Sequence, residues 1–547
     1  MVPGPLNGWI SWFLPWAALL RLRPSMSQML KSSGAMAAAT LTSRVLGLVR
    51  EMVYAAFMGN TWVASAFTLA FQVPNLFRRL LGEGALTAAF IPIFKQKEVQ
   101  NDEKEMWRTA NAVISGLLVA AGGITVLAIV GISVALEVGG FKPETVLMLR
   151  LLRWMFPYML LACLAAVWIG MANARGRFFV PALGSVLLNV VMIASVLLLA
   201  PRMGLKLEQQ IFGLAIGVVV AGLAQAIFQI PGLRREGYRY AWVSPWRDPT
   251  VREVVVKMIP GSIGVAAFQI NVLVTQSFSF WFDSTIVSTF NYSVRLMELP
   301  QGMFGISLAT FLLPTLSGLA ADKKFAEFRT TLNQGLNYLT FVNLFAAAMA
   351  LTLAEPIVRL LFERRIFGPE ATHRVALALV CLAPGLLLFS MNNILARAFY
   401  ALNDIKTPMK ISLVCLALNL GFALWLIRPY REAGLAAANT LSAGFNTTLL
   451  FFALRKKLTI LDMTGLPQNA FILLGAAAAA GAGGFGLYQF WDAQLGHATL
   501  AVKLGAVFVP GTLAGAVYWL LAIWARVPAA KELSGLIGQK LRLGRQG

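Results

Sequence analysis

The chain has 547 residues, 58% of them hydrophobic and only 13% charged, and its mean hydropathy is +0.70. A soluble chain carries about 25% charged residues, so this composition excludes a set of water-borne globular domains and indicates a polytopic membrane protein. The charge that remains is lopsided, 46 Lys+Arg against 24 Asp+Glu for a net +22. In a membrane chain such an excess first reflects Lys and Arg held in cytoplasmic loops, so nucleic acid is not an expected partner.

Residues 1–25 leave two readings open. The run from Trp9 to Leu20 is too short to span a bilayer, and no Lys or Arg precedes it, so it makes a poor signal peptide. Trp9, Trp12 and Trp16 share one helical face, which suits an interfacial anchor; the alternative is an upstream extension before a start near Met26. From there, apolar runs predict helices at about 33–57, 62–95, 107–137, 145–172, 178–200, 209–232, 254–282, 284–318, 328–353, 370–400, 407–428, 432–455, 467–490 and 500–525. The expected fold is therefore all-α, with about fourteen transmembrane helices.

Alternate loops differ in charge. One set holds Lys95, Lys97, Lys104 and Arg108, then Arg175 and Arg177, Arg234, Arg235, Arg239 and Arg247, Lys323 and Lys324, Lys406, and Arg455 to Lys457. The opposite set has Lys142, Arg202, Lys206, Arg428 and Arg431, with a mixed cluster at Glu363 to Arg365. The richer side is read as cytoplasmic, which puts both ends inside, in keeping with Lys540, Arg542 and Arg545 in the tail.

An internal repeat emerges from the prolines. The spacing from Pro157 to Pro181 recurs unchanged from Pro384 to Pro408, and Ser185 and Ser412 are separated by the same interval as Pro181 and Pro408. Pro92 and Pro314, each expected to close the second helix of its half, pair at a nearby offset. The repeat predicts two parallel six-helix lobes about a central cavity, the architecture of alternating-access transporters. The boundaries that follow are 1–30 for the extension, 31–235 and 236–458 for the lobes, 459–526 for two further helices and 527–547 for the tail. The small-residue run Gly475 to Gly486 lets backbones approach closely, and the added helix pair is a candidate groove for a lipid tail.

Chemistry-bearing motifs are few. Cys163, Cys381 and Cys415 lie in apolar stretches without CxxC spacing, and His373 and His497 have no metal-ligand spacing around them. No phosphate-binding loop or hydrolase motif occurs, so ATP-driven transport is not expected. The informative residues are arginines inside apolar spans: Arg44 and Arg50, Arg78 and Arg79, and Arg295. Each costs roughly 2.5–3.5 kcal/mol near mid-bilayer, which marks either snorkelling or a water-filled cavity. Glu51 follows Arg44 by two helical turns and is expected on its face; Glu83 follows Arg79, and Glu298 follows Arg295, at spacings of one turn where helical side chains meet. Breaks are expected at Gly82-Glu83-Gly84 and Pro300-Gln301-Gly302, beside the charges. A net positive cavity wants an anion, and Arg forks suit phosphate.

These residues resemble a known family. Ser43-Arg44-Val45-Leu46-Gly47 with Arg50, Pro74-Asn75-Leu76 with Arg78-Arg79, Glu83-Gly84-Ala85, Phe90-Ile91-Pro92, Phe156-Pro157-Tyr158, Arg295-Leu296-Met297-Glu298 with Pro300 and Gly302, and Asp404-Ile405-Lys406-Thr407-Pro408 are similar, in order and over about residues 27–525, to the MurJ/MviN family of the MOP exporter superfamily. The resemblance implies a flippase of lipid II, the undecaprenyl-pyrophosphate-linked disaccharide-pentapeptide, in the bacterial cytoplasmic membrane. It implies substrate-binding roles for Arg44, Arg50, Arg78, Arg79 and Arg295, supported by Glu51, Glu83 and Glu298. Lipid II and membrane lipids are the expected partners, with cell-wall synthesis proteins as further candidates. Ser65 stands where the family usually has Asp, and Val294 where some members have an acidic residue, and both departures are expected to make the cavity more positive. No cofactor is expected; coupling to a cation or to the membrane potential stays open, because Gln269, Asn271, Asn419, Asn439 and Thr440 offer only neutral oxygens and no metal site is assigned. The alternatives are an exporter of another polyprenyl-linked glycan or other cargo, a polyprenyl-phosphate enzyme, and a non-transporting scaffold.

Overall fold

The computed structural model describes residues 26–543 except 83–84, 101, 247 and 459–464, and all regular structure among these is helical. The Trp9–Leu20 segment, Glu83, Arg247 and the side chains of Lys540, Arg542 and Arg545 lie outside the described residues. In chain order, α1 (Met26–Met58) turns at Gly59 into α2 (Trp62–Leu81), and α3 (Ala85–Val99) continues after a break. Next come α4 (Glu103–Val138), α5 (Pro143–Met155), α6 (Pro157–Ala174), α7 (Phe179–Ala194) and α8 (Leu207–Arg235). The second half holds α9 (Pro249–Phe282), α10 (Ile286–Pro300), α11 (Ser307–Ala321), α12 (Phe325–Thr352), the short α13 (Ala354–Phe362), α14 (Pro369–Leu382), α15 (Gly385–Ala401) and α16 (Lys406–Leu458). Last are α17 (Leu466–Leu495), α18 (Leu500–Trp524) and α19 (Pro528–Leu543).

Helix starts follow local chemistry. Thr61, Asp102, Asp248 and Thr499 each accept a first-turn amide with the side chain, at α2, α4, α9 and α18. Pro143, Pro157, Pro249 and Pro369 occupy first helical turns, where the missing N–H costs nothing. The fourteen predicted runs all fall on helical segments. By length and apolarity, however, nine helical stretches among the described residues qualify as spans, or ten if the bent pair α14–α15 is one. The count falls short because α16 merges two predicted runs across Arg431, at φ 50, and because α1, α2–α3 and α9 are not among the nine.

Two cores carry the halves. Phe90, Phe94, Met106, Ile114, Leu151, Met155 and Met159 are fully buried in the first; Leu316, Phe328, Leu332, Leu336, Ile394, Leu395 and Phe399 are their counterparts in the second. A third cluster joins α12 to α17 and α18 through Phe341, Leu473, Ala480 and Tyr518. The small-residue run works as predicted on one face: a Cβ at Gly481 would sit 3.1 Å from Thr352, and one at Gly484 would sit 3.2 Å from Ala514, so the backbones are close.

The repeat is visible in the breaks. Pro157 follows the α5/α6 break and Pro384 the bend of 44° between α14 and α15. Each half also breaks its second helix, at Gly82 and at a π-helical turn over Gln301–Ile306. A Cβ at Gly82 would lie 3.0 Å from Cys163, and one at Gly305 would lie 2.5 Å from Ser390. Cys163 and Ser390 are separated by the same interval as Pro157 and Pro384, so equivalent glycines press on equivalent residues. Pro92 and Pro314 do not close their helices as expected; each lies about two turns before its helix ends.

The equivalent loops after α6 and α15 are latched with opposite polarity. Arg177 reaches Glu236 at 2.9 Å, whereas Asp404 takes Lys457 at 2.7 Å and the Thr407 amide at 3.0 Å. The Lys457 ammonium and then the Thr407 amide hold the Asp404 carboxyl down at about 2, against an ordinary 3.8. A depressed carboxyl contributes stability fully above its unfolded value and loses it as the pH falls through the folded one. The unfolding temperature of Asp404→Asn in detergent should therefore lie below that of the parent chain at neutral pH, and the two should converge as the pH falls from about 4 toward 2.

Candidate functional site at the seam between the halves

α1 carries Arg50 and Glu51 to the seam between the halves, and α10 brings Arg295 to the same place. Arg50 Nη2 donates to Glu51 Oε1 at 2.5 Å, the same oxygen lies 3.6 Å from Arg295 Nε, and Arg295 Nη1 donates to Glu298 Oε2 at 2.8 Å. The Arg50 guanidinium also lies 5.5 Å from the Tyr54 ring centre. Glu51 is thus the carboxylate shared by both halves. Expected on the face of Arg44 two turns away, Glu51 pairs with Arg50 and Arg295. Arg44 instead rests on Gly302 of the π-turn, where a Cβ would overlap its guanidinium.

The paired charges line a partly open pocket of about 70 Å³, walled on the α2 and α6 side by Phe67, Phe71 and Tyr158 and edged by Ser288 and Asn291. Arg50, Glu51 and Arg295 belong to its lining; Arg44, Arg78, Arg79 and Glu298 do not. Arg78 and Arg79 occupy the last turn of α2, beside the break, where cations suit the helix C-terminus, and Arg78 Nε donates to Asn75 Oδ1 at 2.9 Å.

Beyond the pocket the seam is sealed by neutral groups. Ser65 Oγ donates to Ser288 Oγ at 3.0 Å and accepts from the Ser288 amide, while Asn60 Oδ1 accepts from Ser288 and Thr289 hydroxyls at 2.9 and 2.7 Å. Tyr292 Oη donates to Gly59 O at 3.3 Å, and Ile366 packs onto Gly59, whose φ of +57 and crowded Cα leave no room for a side chain. Ser65 is fully buried here and Val294 packs in an apolar cluster with Ala378 and Leu382. Neither side chain lines the pocket: Ser65 is enclosed in the polar seal and Val294 in the apolar cluster. Of the residues with neutral oxygens considered for a cation, Asn271 donates through Nδ2 to Leu416 O, tying α9 to α16, and Thr440 donates its hydroxyl to Cys381 O.

Sequence reading missed Asn60, Tyr54 and Asn291, ordinary residues that only the fold brings to the seam. It also passed over Arg397, which donates to Ile306 O at 3.2 Å and Thr310 Oγ1 at 3.0 Å. The signal was present: an arginine in the apolar run of about 370–400.

Solved structures with this helical arrangement are membrane transporters. One described as "Lipid II flippase MurJ, inward closed conformation" superposes with a TM-score of 0.72 at 19% identity, over 89% of this chain and 99% of that one. An inward-facing multidrug resistance MATE family transporter of the MOP superfamily gives 0.62 at 12% identity, over 78% and 98%. Two α-helical halves meeting at a charged pocket thus define a chain with the MOP transporter fold. Its sequence relatives narrow this: 35% identity over 440 residues to a probable lipid II flippase MurJ of Haemophilus influenzae (76% of this chain, 84% of that one), and 34% over 514 residues to one of Bdellovibrio bacteriovorus (92% and 95%). With residues 54–504 matching the model of the family described as lipid II flippase MurJ, the chain belongs to that family.

The Arg44–Gly302 contact predicts a functional rather than a folding defect. The tip of Arg44 can swing aside for a methyl, so Gly302→Ala should leave thermal stability close to that of the parent chain yet impair complementation of a strain depleted of its own family member. At Gly213 a Cβ would meet Ala200 Cα at 2.7 Å, and backbone cannot yield so cheaply. Gly213→Ala should lower stability by about 1–3 kcal/mol, read as a fall in unfolding temperature.

Proposed function

We propose that this chain is a flippase carrying lipid II, an undecaprenyl-pyrophosphate disaccharide-pentapeptide, from the inner to the outer leaflet of the bacterial cytoplasmic membrane by alternating access. The observation that carries the reading is the Arg50–Glu51–Arg295 chain, which holds cations from both halves at a pocket between them. Two arginines against one lining carboxylate give that pocket a net positive charge. A pyrophosphate can replace Glu51 as the anion between them, so binding and release of the head group trade against an internal ion pair. Arg44 on the π-turn extends the cationic surface, and Arg78 and Arg79 flank the break in α2 as a portal. The proposed lobes are residues 31–235 and 236–458, with the prenyl tail running along the helices of 459–526.

The loop charges support placing both termini on the cytoplasmic side, which makes the Asn60–Ser288 seal the outer gate. Alternating access then requires those neutral hydrogen bonds to open, at about 0.5–1.5 kcal/mol each, far less than parting a buried ion pair. The inside-negative potential favours outward movement of the bound anion and inward return of the empty cationic pocket, by about 2.3 kcal/mol per charge per 100 mV.

Arg50→Ala and Arg295→Ala should insert and fold but fail to rescue a flippase-depleted strain, and lipid II should accumulate in the inner leaflet. Normal rescue by both variants would dismiss the pyrophosphate role. An ionophore that collapses the potential should also shift labelling of cysteines placed at Asn60 or Thr289; unchanged labelling would remove the potential from the mechanism.

A further inference from the structure

We propose that Arg397 is a third cationic step on the path of the pyrophosphate, on the loop side of Arg44, a role that rests on the flippase reading above. Three arginines from three different helices meet one continuous element, α10–π-turn–α11. Arg295 projects from it, Arg44 of α1 lies on Gly302, and Arg397 of α15 binds Ile306 O and Thr310 Oγ1. At roughly 1.5 Å per residue, these contacts are spaced by about 10 Å and then by a further 6–12 Å along the helix.

Their electrostatic states differ. Arg295 and Arg50 already hold carboxylates. Among the described residues, no carboxylate lies within ion-pair distance of Arg397 or Arg44, and both contacts of Arg397 use a single nitrogen, Nη1. A guanidinium has five N–H donors, so the Nε and Nη2 edge of Arg397, the fork that suits phosphate, has no protein acceptor among the described residues. An entering anion would meet uncompensated arginines first and competed ones deeper in the pocket. Capture is therefore strongest near entry, and Glu51 and Glu298 favour release further along.

The internal repeat argues that Arg397 is not there to hold the helices together. The repeat that pairs Pro157 with Pro384 pairs Gly170 with Arg397 at the same interval. Gly170 is buried so tightly that a Cβ would lie 2.9 Å from Ile91 and 3.5 Å from Thr87. Thr87 and Thr310 are themselves equivalent, separated by the same interval as Gly82 and Gly305. One half thus closes this crossing with glycine on threonine, while the other places an arginine there. Packing needs no cation at this place.

The test uses the full chain in nanodiscs, with farnesyl pyrophosphate as the probe of the isoprenyl pyrophosphate class, titrated at several salt concentrations. Arg397→Gln, which retains hydrogen-bonding capacity without charge, should weaken binding about tenfold and flatten the salt dependence, with the unfolding temperature unchanged; Arg397→Lys should restore most of the affinity. Unchanged affinity and salt slope in Arg397→Gln would overturn the proposal, and so would a loss that tracks a lowered unfolding temperature and is not restored by Lys, since that marks a structural brace. Arg44→Ala, run in parallel, separates the two readings. If it weakens binding while Arg397→Gln does not, only the third step fails. If neither variant nor Arg50→Ala alters binding, the pyrophosphate reading itself fails.

Discussion

A guanidinium in an apolar span has to be answered by an anion, by water or by backbone oxygen, and this requirement organises the seam. Arg50 and Arg295 come from different halves and share Glu51, so the two halves are joined by charge at the point where they also enclose a pocket. Arg50 and Glu51 are largely buried while Arg295 is partly exposed, so the cost of an unpaired charge falls mainly on the α1 side of the junction. In the proposed mechanism a substrate anion substitutes for the carboxylate and lets the halves part without that cost.

The rest of the seam is held without charge. Between Asn60, Ser65, Ser288 and Thr289 the bonds are neutral and short-range. Serine at position 65 leaves this seal without a buried charge, so the electrostatics of the junction are concentrated one step deeper, at Glu51. The π-turn adds to the seam from the other half. A wide turn with Gly302 and Gly305 admits Arg44 from α1 and Ser390 from α15, and places Ile306 O within reach of Arg397.

Much of this was legible from residue order because membrane burial imposes simple rules. Apolar runs located helices, Pro157 and Pro384 located the matching breaks, and Gly82 and Gly302 marked interruptions beside the charges. Short-range pairs were equally readable: Arg295 and Glu298, one helical turn apart, do meet. Where the reading failed, the missing information was tertiary. Arg44 and Glu51 share a face by periodicity, yet each finds its contact on α10 or the π-turn, elements that belong to the other half of the chain. Ser65 and Val294 were counted as changes to a cavity because nothing local says that one side chain is enclosed in a polar seal and the other in an apolar cluster.

Sequence alone therefore determined the class of the molecule, the placement of its helices, the duplication of its halves and the presence of arginines inside its apolar runs. The duplication follows from equal intervals along the chain, and the others from rules acting within a few turns of one helix: hydrophobic length, proline and glycine geometry, and the cost of charge in lipid. Tertiary structure alone decided the partners. It assigned Glu51 to Arg295 and Arg44 to Gly302, gave Arg397 its place on the same element, and set Ser65 in the seal. Those choices depend on how two distant halves dock, and electrostatic and packing energies are functions of distance in space, which residue order does not record.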